Sequence, residues 1–226
     1  MPHPNLIFIL TFTLLLLPHD VLNQSKPFTP QEMRDARLEA LKWNNIFRKW
    51  HNGTPTMTLN DELNDAAQQR AEYFISGKPI PTTIGENVYK RLKERRAWFD
   101  AKNETEGAVK TWYFELCTVK KFPFGEAGKF RQVVWSDSVK LGIGVARNPS
   151  DSEVVVVGHY FPHGNTKGQF KKKVGKLRCR KDVICNGNIS QEHVDEHTCR
   201  GGINSPSTWL PHLVVVVTTY YIIRTT

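Results

Sequence analysis

The stretch Leu141-Gly-Ile-Gly-Val-Ala146, followed by Val154-Val-Val-Val-Gly-His-Tyr160, decides the fold, because both segments are short, apolar and rich in β-branched residues. Between them lies Asn148-Pro-Ser-Asp-Ser152, which contains the residues that favour turns. The two segments are therefore predicted to pair as an antiparallel hairpin.

Three helices are predicted before this hairpin. The first opens at Thr29-Pro-Gln-Glu32, which combines an N-cap, a first-turn proline and a capping-box glutamate, and it runs to about Trp50. The second runs from about Asn60 to Ser76 and is followed by a glycine suited to a C-terminal cap; the third runs from Thr105 to about Leu116. Helices early and strands late predict an α+β fold, a sandwich with a central antiparallel sheet between helical layers.

The composition is that of an ordinary globular protein, with 226 residues, 39% hydrophobic residues, 23% charged residues and four cysteines. These values exclude a collagen, a mainly disordered chain and a multi-span membrane protein. The net charge of +9 is concentrated in residues 167–181, which hold eight Lys and Arg and no acid. This segment is predicted to be a basic stalk, which either binds an anionic surface or is a solvated linker.

Both ends of the chain are apolar. The run from Leu6 to Leu17 has the length of a signal-peptide core, so residues 1–24 are predicted to be a secretion signal, with an uncleaved anchor as the alternative. Residues 209–226 are apolar but short for a membrane span; a lipid-anchor signal, a short membrane tail and a packed β-prone segment stay open. The predicted location is therefore extracellular, with a tether to the outer cell surface as an option.

Because the chain is predicted to be exported, its sequons are candidate glycosylation sites and its cysteines are candidate disulfide partners. The sequons begin at Asn52, Asn103 and Asn188, and all three are predicted to lie in loops. The disulfide candidates are Cys117, inside the predicted domain, and three cysteines in or beside the small extension of residues 182–208, namely Cys179, Cys185 and Cys199. A bridge within the extension with a buried, free Cys117 is favoured; the alternative is a bridge from the extension to Cys117.

Four segments, taken in order, resemble the CAP superfamily of cysteine-rich secretory proteins, venom antigens and plant pathogenesis-related proteins. They are Leu41-Lys-Trp-Asn-Asn-Ile-Phe-Arg48, Gly85-Glu-Asn87, Trp112-Tyr-Phe-Glu115, and Gly128-Lys-Phe-Arg-Gln-Val-Val-Trp135 together with His159-Tyr-Phe-Pro-His-Gly-Asn165. The resemblance covers roughly residues 33–170. It implies one α-β-α sandwich with a large central cleft, here assigned to residues 29–166.

The resemblance also implies a cleft site of two His and two Glu that is often described as a divalent-metal site. Carried over by position, the glutamates are Glu86 and Glu115, while Asn44 and Lys129 stand at the histidine positions. An amide and an ammonium do not complete a zinc site, so neither a metal nor a cofactor is expected. Lys129 is instead expected beside both glutamates, where its charge would replace that of the metal.

The function that the resemblance implies is that of a secreted, non-enzymatic module that binds a sterol, a fatty acid or a protein partner. Phe122-Pro-Phe124 would offer a stiff apolar face to a lipid, unless both rings pack on the domain. The alternatives are binding of acidic glycans or anionic surfaces through the basic stalk, and a glutamate-dependent hydrolase, for which no nucleophile motif is found. No nucleic-acid motif is present, and the apolar tail is the segment that could contact a membrane.

Overall fold

The computed structural model describes residues 26–77, 85–92, 99–119, 127–150, 152–178 and 181–186. Within them the elements follow in the order α1 (Pro30–Lys49), β1 (Thr58–Leu59), α2 (Asp61–Ser76), β2 (Glu86–Leu92), α3 (Ala101–Thr118), α4 (Gly128–Val133), β3 (Lys140–Arg147), β4 (Glu153–Phe161), α5 (Phe170–Lys173) and α6 (Lys181–Asn186). None of the described helices is both long enough and apolar enough to cross a membrane.

The four described strands form one sheet in the order β1-β3-β4-β2. The predicted hairpin is confirmed, since β3 and β4 pair antiparallel from Lys140 opposite Phe161 to Arg147 opposite Val154. On the other side of β4, β2 adds a second antiparallel pair, whereas the two-residue β1 pairs parallel with β3. The predicted sheet is therefore antiparallel except at its shortest strand.

Helix α2 covers one face of the sheet at very short range. A Cβ atom added to Gly142 would lie 2.2 Å from the backbone of Leu63, and one added to Gly144 would lie 2.2 Å from that of Ala67. Any side chain at these two glycines would push the helix off the strand. The two glycines thus explain how α2 can approach β3 so closely.

The same helix also completes the outer edge of β3 beyond the short β1. The side-chain oxygen of Asn64 accepts a hydrogen bond from the backbone N–H of Ile143 at 2.9 Å, and that of Gln68 accepts one from the N–H of Val145 at 3.0 Å. Gln68 in turn donates to the carbonyl of Val145 at 3.1 Å. Amide side chains of the helix therefore stand in for a neighbouring strand.

Helices α1 and α3 pack on the opposite face and enclose the larger core. The ring of Phe47 from α1 stacks on Tyr113 from α3, with centroids 4.0 Å apart and planes at 1°. The capping box at Thr29 is confirmed, and α1 ends at Lys49 as predicted to within a residue. Helix α3 begins four residues before the predicted Thr105, because the Asp100 side chain caps it by accepting from the N–H of Asn103 at 2.8 Å.

A buried arginine holds the end of α1 to the loop before β3. Arg48 has no solvent-exposed surface, and its guanidinium donates to four backbone carbonyls at 2.7 to 2.9 Å, those of Pro55, Val133, Trp135 and Ser138. Burial lowers the pKa of Arg48 to about 10, so the group remains charged at neutral pH. The hydrogen bonds take the place of a carboxylate partner in satisfying this cation.

Residues 167–178, named here the strap, lie against the domain, so the alternative of a solvated linker is wrong for them. Val174 is buried and forms a bridge with Trp135, and Leu177 forms one with His51. Phe170 and Leu177 are partly buried against the core. These three apolar residues among the lysines give the strap an inward face, which the high local charge obscures in the sequence.

Backbone hydrogen bonds fix the strap along its length. The N–H of Ser136 donates to the carbonyl of Lys173 at 2.9 Å, and the N–H of Asn52 donates to that of Lys176 at 2.9 Å. At the end of the strap, the N–H of Arg178 donates to the carbonyl of Trp50 at 2.8 Å. The strap therefore bonds to the C-terminal end of α1 and to the segment after α4.

A disulfide joins Cys117, near the end of α3, to Cys185 in α6, with 5.7 Å between the Cα atoms. The favoured prediction of a free Cys117 is therefore wrong, and the alternative bridge to the domain is the one that forms. The physical reason is the strap, which carries the chain back onto the domain and brings residue 185 to the end of α3. Cys179 and Cys199 lie outside the described residues, as do the leader of residues 1–24 and the apolar tail of residues 209–226.

Candidate functional site

The first part of the candidate site is a buried cluster at the start of β2. Glu86 lies opposite His159 of β4 in the register of the sheet. The Nε2 atom of His159 is 3.2 Å from Oε2 of Glu86, and Arg70 of α2 places its Nε atom 2.9 Å from the same oxygen. All three side chains are at most 10% exposed.

The cluster is arranged to keep Glu86 ionised. Burial alone would raise the pKa of Glu86, but the hydrogen bonds from His159 and Arg70 outweigh burial and hold its pKa below the usual value. The carboxylate therefore carries its charge at neutral pH. Its negative charge is matched by the guanidinium of Arg70, which also contacts the ring of Phe74 at 4.5 Å.

The second part of the site joins α3 to α4. Oε2 of Glu115 accepts hydrogen bonds from the backbone N–H groups of Lys129 and Phe130, at 2.9 and 3.2 Å. The residue before α4 is Ala127, which offers no capping side chain, so Glu115 supplies the cap from another helix. The Nζ atom of Lys129 lies 3.8 Å from Oε1 of Glu115, and its side chain is 45% exposed.

The expected network around Lys129 thus forms in part. Lys129 pairs with Glu115, but the side chains that contact Glu86 are those of Arg70 and His159. Sequence reasoning missed Arg70. A signal was available, since Arg70 occupies the same face of the predicted helix as Ala67, and that face packs on the sheet.

Asn44 does not join the two glutamates. Its side chain is fully buried, donates to the carbonyl of Ala40 at 2.8 Å, and accepts from the hydroxyl of Tyr160 at 3.2 Å. Side chains alternate along a strand, so Tyr160 points to the opposite face of the sheet from His159 and Glu86. The position carried over from the resemblance therefore places Asn44 in the core between α1 and β4.

The residues at these four positions do not fit a divalent metal. Both polar atoms of Asn44 are engaged in the core, Lys129 has no lone pair while charged, and the two carboxylates are bound by other groups. Over the described parts of the chain, no group of three or more His, Cys, Asp and Glu side chains is placed to hold a metal ion. No chemistry is therefore assigned to a metal here.

The two segments Gly128–Trp135 and His159–Asn165 meet next to this site. The Nδ2 atom of Asn165, a residue with a φ of 60°, donates to the carbonyl of Gly128 at 2.7 Å, and its Oδ1 atom accepts from Nε of Arg131 at 3.1 Å. The Arg131 guanidinium also lies 4.3 Å from the ring of Phe170. These contacts attach the start of the strap to the site.

A second buried histidine lies under the strap. The ring of His51 donates from Nδ1 to the carbonyl of Gly175 at 2.9 Å and accepts at Nε2 from the hydroxyl of Tyr113 at 3.2 Å, which requires the neutral tautomer with Nδ1 protonated. Burial lowers the pKa of His51 to about 4. No local pattern around His51 indicates this role, because both partners are distant along the chain.

The remaining predicted sites are placed as follows. Asn52 is exposed in the turn after α1, and Asn103 is exposed in the first turn of α3, which corrects the prediction of a loop for that sequon. Asn188 lies outside the described residues. So do Phe122, Pro123 and Phe124 of the predicted lipid-binding loop.

Comparison with known proteins gives one family match. Residues 35–160 match the model of the cysteine-rich secretory protein family, CAP. The human Golgi-associated plant pathogenesis-related protein 1 is 31% identical over 144 residues, which make up 60% of this chain and 90% of that protein. Scoloptoxin SSD43 of Scolopendra dehaani is also 31% identical, over 121 residues that make up 46% of this chain and 54% of the toxin.

Solved structures share the fold at lower identity. The crystal structure of NaASP2 with Zn²⁺ superposes with a TM-score of 0.51 at 19% identity, covering 76% of this chain and 95% of that one. The structure of BmVAL-1 superposes with a TM-score of 0.54 at 21% identity, covering 70% and 89%. At these identities the likeness concerns the arrangement of helices and strands.

Proposed function

Because the chain belongs to the cysteine-rich secretory protein (CAP) family, we propose that it is a non-enzymatic binding module that acts outside the cell on a lipid, a sterol or a protein partner. The observation that carries the proposal is that the carboxylate of Glu86 is buried and bound by Arg70 and His159. Both of its oxygens already accept hydrogen bonds from Arg70 or His159 within the protein.

The hydrolase alternative needs a nucleophile next to a base. His159 with Glu86 behind it has the form of a base and its orienting carboxylate. Among the described residues, however, no serine, threonine or cysteine side chain is hydrogen-bonded to His159. Arg70 also competes for the charge of the carboxylate that would support the histidine.

Activity assays test this part of the proposal. We expect no turnover of ester or peptide substrates by the purified protein. Turnover that is lost in a Glu86→Gln variant but retained in a matched Glu115→Gln variant would establish the hydrolase instead.

The same proposal includes the absence of a functional metal at the four carried-over positions. Calorimetric titration with zinc is expected to show no saturable binding. Stoichiometric binding that disappears in the Glu86→Gln variant would contradict the proposal, since a carboxylate already bound by Arg70 should contribute little to a zinc site.

A lipid or sterol is the ligand class most directly suggested by the sequence, through Phe122-Pro-Phe124. Sterol binding should fall when Phe122 and Phe124 are changed to alanine together. The matched control is Phe161→Ala, which removes a ring that is 60% exposed at the end of β4. Equal binding by the double variant and the wild-type protein would exclude the loop.

An extracellular location is supported by two features of the chain. The apolar run from Leu6 to Leu17 has the length of a signal core, and the bond between Cys117 and Cys185 is of a kind that persists in oxidising compartments. Mass spectrometry of the secreted protein should show a mature N-terminus after the leader and glycans at Asn52 or Asn103. A cytosolic, unprocessed and unglycosylated product would refute this location.

A further inference from the structure

The strap has an outward face that consists almost entirely of cations. Its apolar residues pack on the domain, as described above, and most of the side chains between them are exposed. The exposed basic residues, named here the basic ridge, are Lys167, Lys171, Lys172, Lys176 and Arg178.

Acidic residues are scarce around this ridge along the chain. Residues 154–181 contain no Asp or Glu at all. Lys173, which is not part of the ridge, pairs with Asp137 at 2.6 Å. At the C-terminal end of the strap, the backbone N–H of Arg178 donates to the carbonyl of Trp50. The exposed Lys49, which precedes Trp50 at the end of α1, therefore adds a further cation beside the ridge.

The fold presents these charges in a fixed arrangement. The strap bonds to the domain at Trp50, Asn52 and Ser136, and Cys185 attaches the chain beyond it to α3. A flexible stalk would lose conformational entropy when a ligand ordered it, whereas a strap that is already ordered loses little. From Lys171 to Arg178 the mainly extended chain spans about 20 Å, which is long enough to follow a linear polymer.

The kind of anion that fits the ridge follows from its lack of large exposed apolar side chains. A segment that binds a bilayer surface usually inserts apolar side chains as well as presenting cations. The large apolar side chains that are exposed in the described structure are Leu38, Leu92, Val139 and Phe161, and none of them belongs to the strap. A row of cations without an apolar anchor suits a hydrated polyanion, which it binds by releasing counterions.

We propose that the basic ridge is a binding surface for an anionic, sulfated polysaccharide. None of the ridge residues is among the hydrogen-bond partners of Glu86, which are Arg70 and His159. The ridge binds along the polymer, with Arg178 able to hold a sulfate group through two parallel N–H donors and the lysines acting as point charges.

The test compares two full-length variants that lose the same number and type of charges. The ridge variant carries Lys171→Gln, Lys172→Gln, Lys176→Gln and Arg178→Gln. The control variant carries four changes at exposed positions elsewhere in the domain, namely Arg34→Gln, Lys90→Gln, Lys102→Gln and Lys140→Gln. Thermal unfolding shows whether both variants remain folded.

Affinity for immobilised heparin is the measured quantity. In the ridge variant we expect it to fall by at least about tenfold at physiological salt, while the control stays close to the wild-type protein. The slope of log affinity against log salt concentration should become shallower by about three in the ridge variant alone. Equal losses in both variants would refute the proposal, since net charge would then explain the binding.

Vesicles distinguish the two sources of negative charge. Binding to phosphatidylserine vesicles that depends on the ridge, without retention on heparin, would overturn the polysaccharide assignment in favour of a membrane. The ridge variant is also expected to keep whatever sterol binding the wild-type protein has. Loss of heparin binding with intact sterol binding therefore separates this inference from the function proposed above.

Discussion

Removing the bond between Cys117 and Cys185 should destabilise the protein more than most single changes in its core. The two residues are 68 positions apart in the chain. In the chain-entropy description, closing a loop of that length lowers the entropy of the unfolded state by about 15 cal/mol/K, which corresponds to about 4 kcal/mol at 25 °C. With a urea dependence of about 2 kcal/mol/M, the midpoint of unfolding should fall by about 2 M.

The measurement is urea unfolding followed by tryptophan fluorescence, which the buried Trp43, Trp112 and Trp135 report. It is best made with Cys179→Ser and Cys199→Ser in every protein compared, so that no other thiol can form a new bridge. Adding Cys117→Ser and Cys185→Ser then removes the bond. Chemical reduction of the parent protein should produce the same shift.

Removal of the disulfide should also accelerate hydrogen exchange at the strap. The N–H groups of Asn52, Ser136 and Arg178 bond across the strap, and their hydrogen exchange should accelerate more than that of amides within β3. A midpoint shift below about 0.5 M, with the bridge verified by peptide mapping in the parent protein, would refute this reasoning, because the loop it closes would then contribute little to stability.

Four further changes test the buried polar groups and the glycine of β4. Arg48→Met should lower the free energy of unfolding by at least about 4 kcal/mol in thermal or urea unfolding, because four carbonyls lose their donor. Unchanged stability of the variant would show that those carbonyls find other partners. The pKa of His51 in the folded protein is lowered to about 4, so the unfolded chain takes up this proton first as the pH falls. The free energy of unfolding should therefore decline from about pH 6.5 down to pH 4. His51→Gln should flatten that decline, and an unchanged pH profile would contradict the reasoning. The pKa of Glu86 is also lowered, so its contribution to the free energy of unfolding is complete above the unfolded pKa of 4.5 and is lost as the pH falls through the lower folded pKa. Glu86→Gln should remove this loss of stability at acid pH. The same acid dependence in the variant and the wild-type protein would argue against it. Gly158→Cys should cost about 1–3 kcal/mol in thermal unfolding, because a Cβ there would lie 3.0 Å from the ring of Trp112, and a neutral result would mean that the ring can shift at no cost.

Local signals in the sequence predicted the parts of the fold that local interactions form. The capping box at Thr29 and the turn residues between β3 and β4 each act over a few positions, and both elements formed as predicted. The family resemblance, carried by several segments in order, predicted the α-β-α sandwich that joins them.

Contacts between distant residues account for the errors. The strap resembles a solvated linker, one of the two alternatives for it, because its charge is conspicuous and its apolar residues are only three. Val174 and Leu177 nevertheless each find a partner more than 35 positions away. The pairing of Cys117 depended on the path of that strap. In the candidate site, alternation along β4 put Asn44 and Glu86 on opposite faces of the sheet, and Arg70 reached Glu86 from a separate helix.

The amide side chains that line β3 have a consequence for how the protein associates with itself. A strand whose N–H and C=O groups are open can recruit a strand from another molecule and begin aggregation. Asn64 and Gln68 occupy the N–H groups of β3 that the short β1 leaves unpaired, and Arg37 donates to the carbonyl of Ile143 at 3.3 Å. Helices α2 and α1 thereby protect a valine-rich sheet from intermolecular strand addition along this edge, without an extra strand.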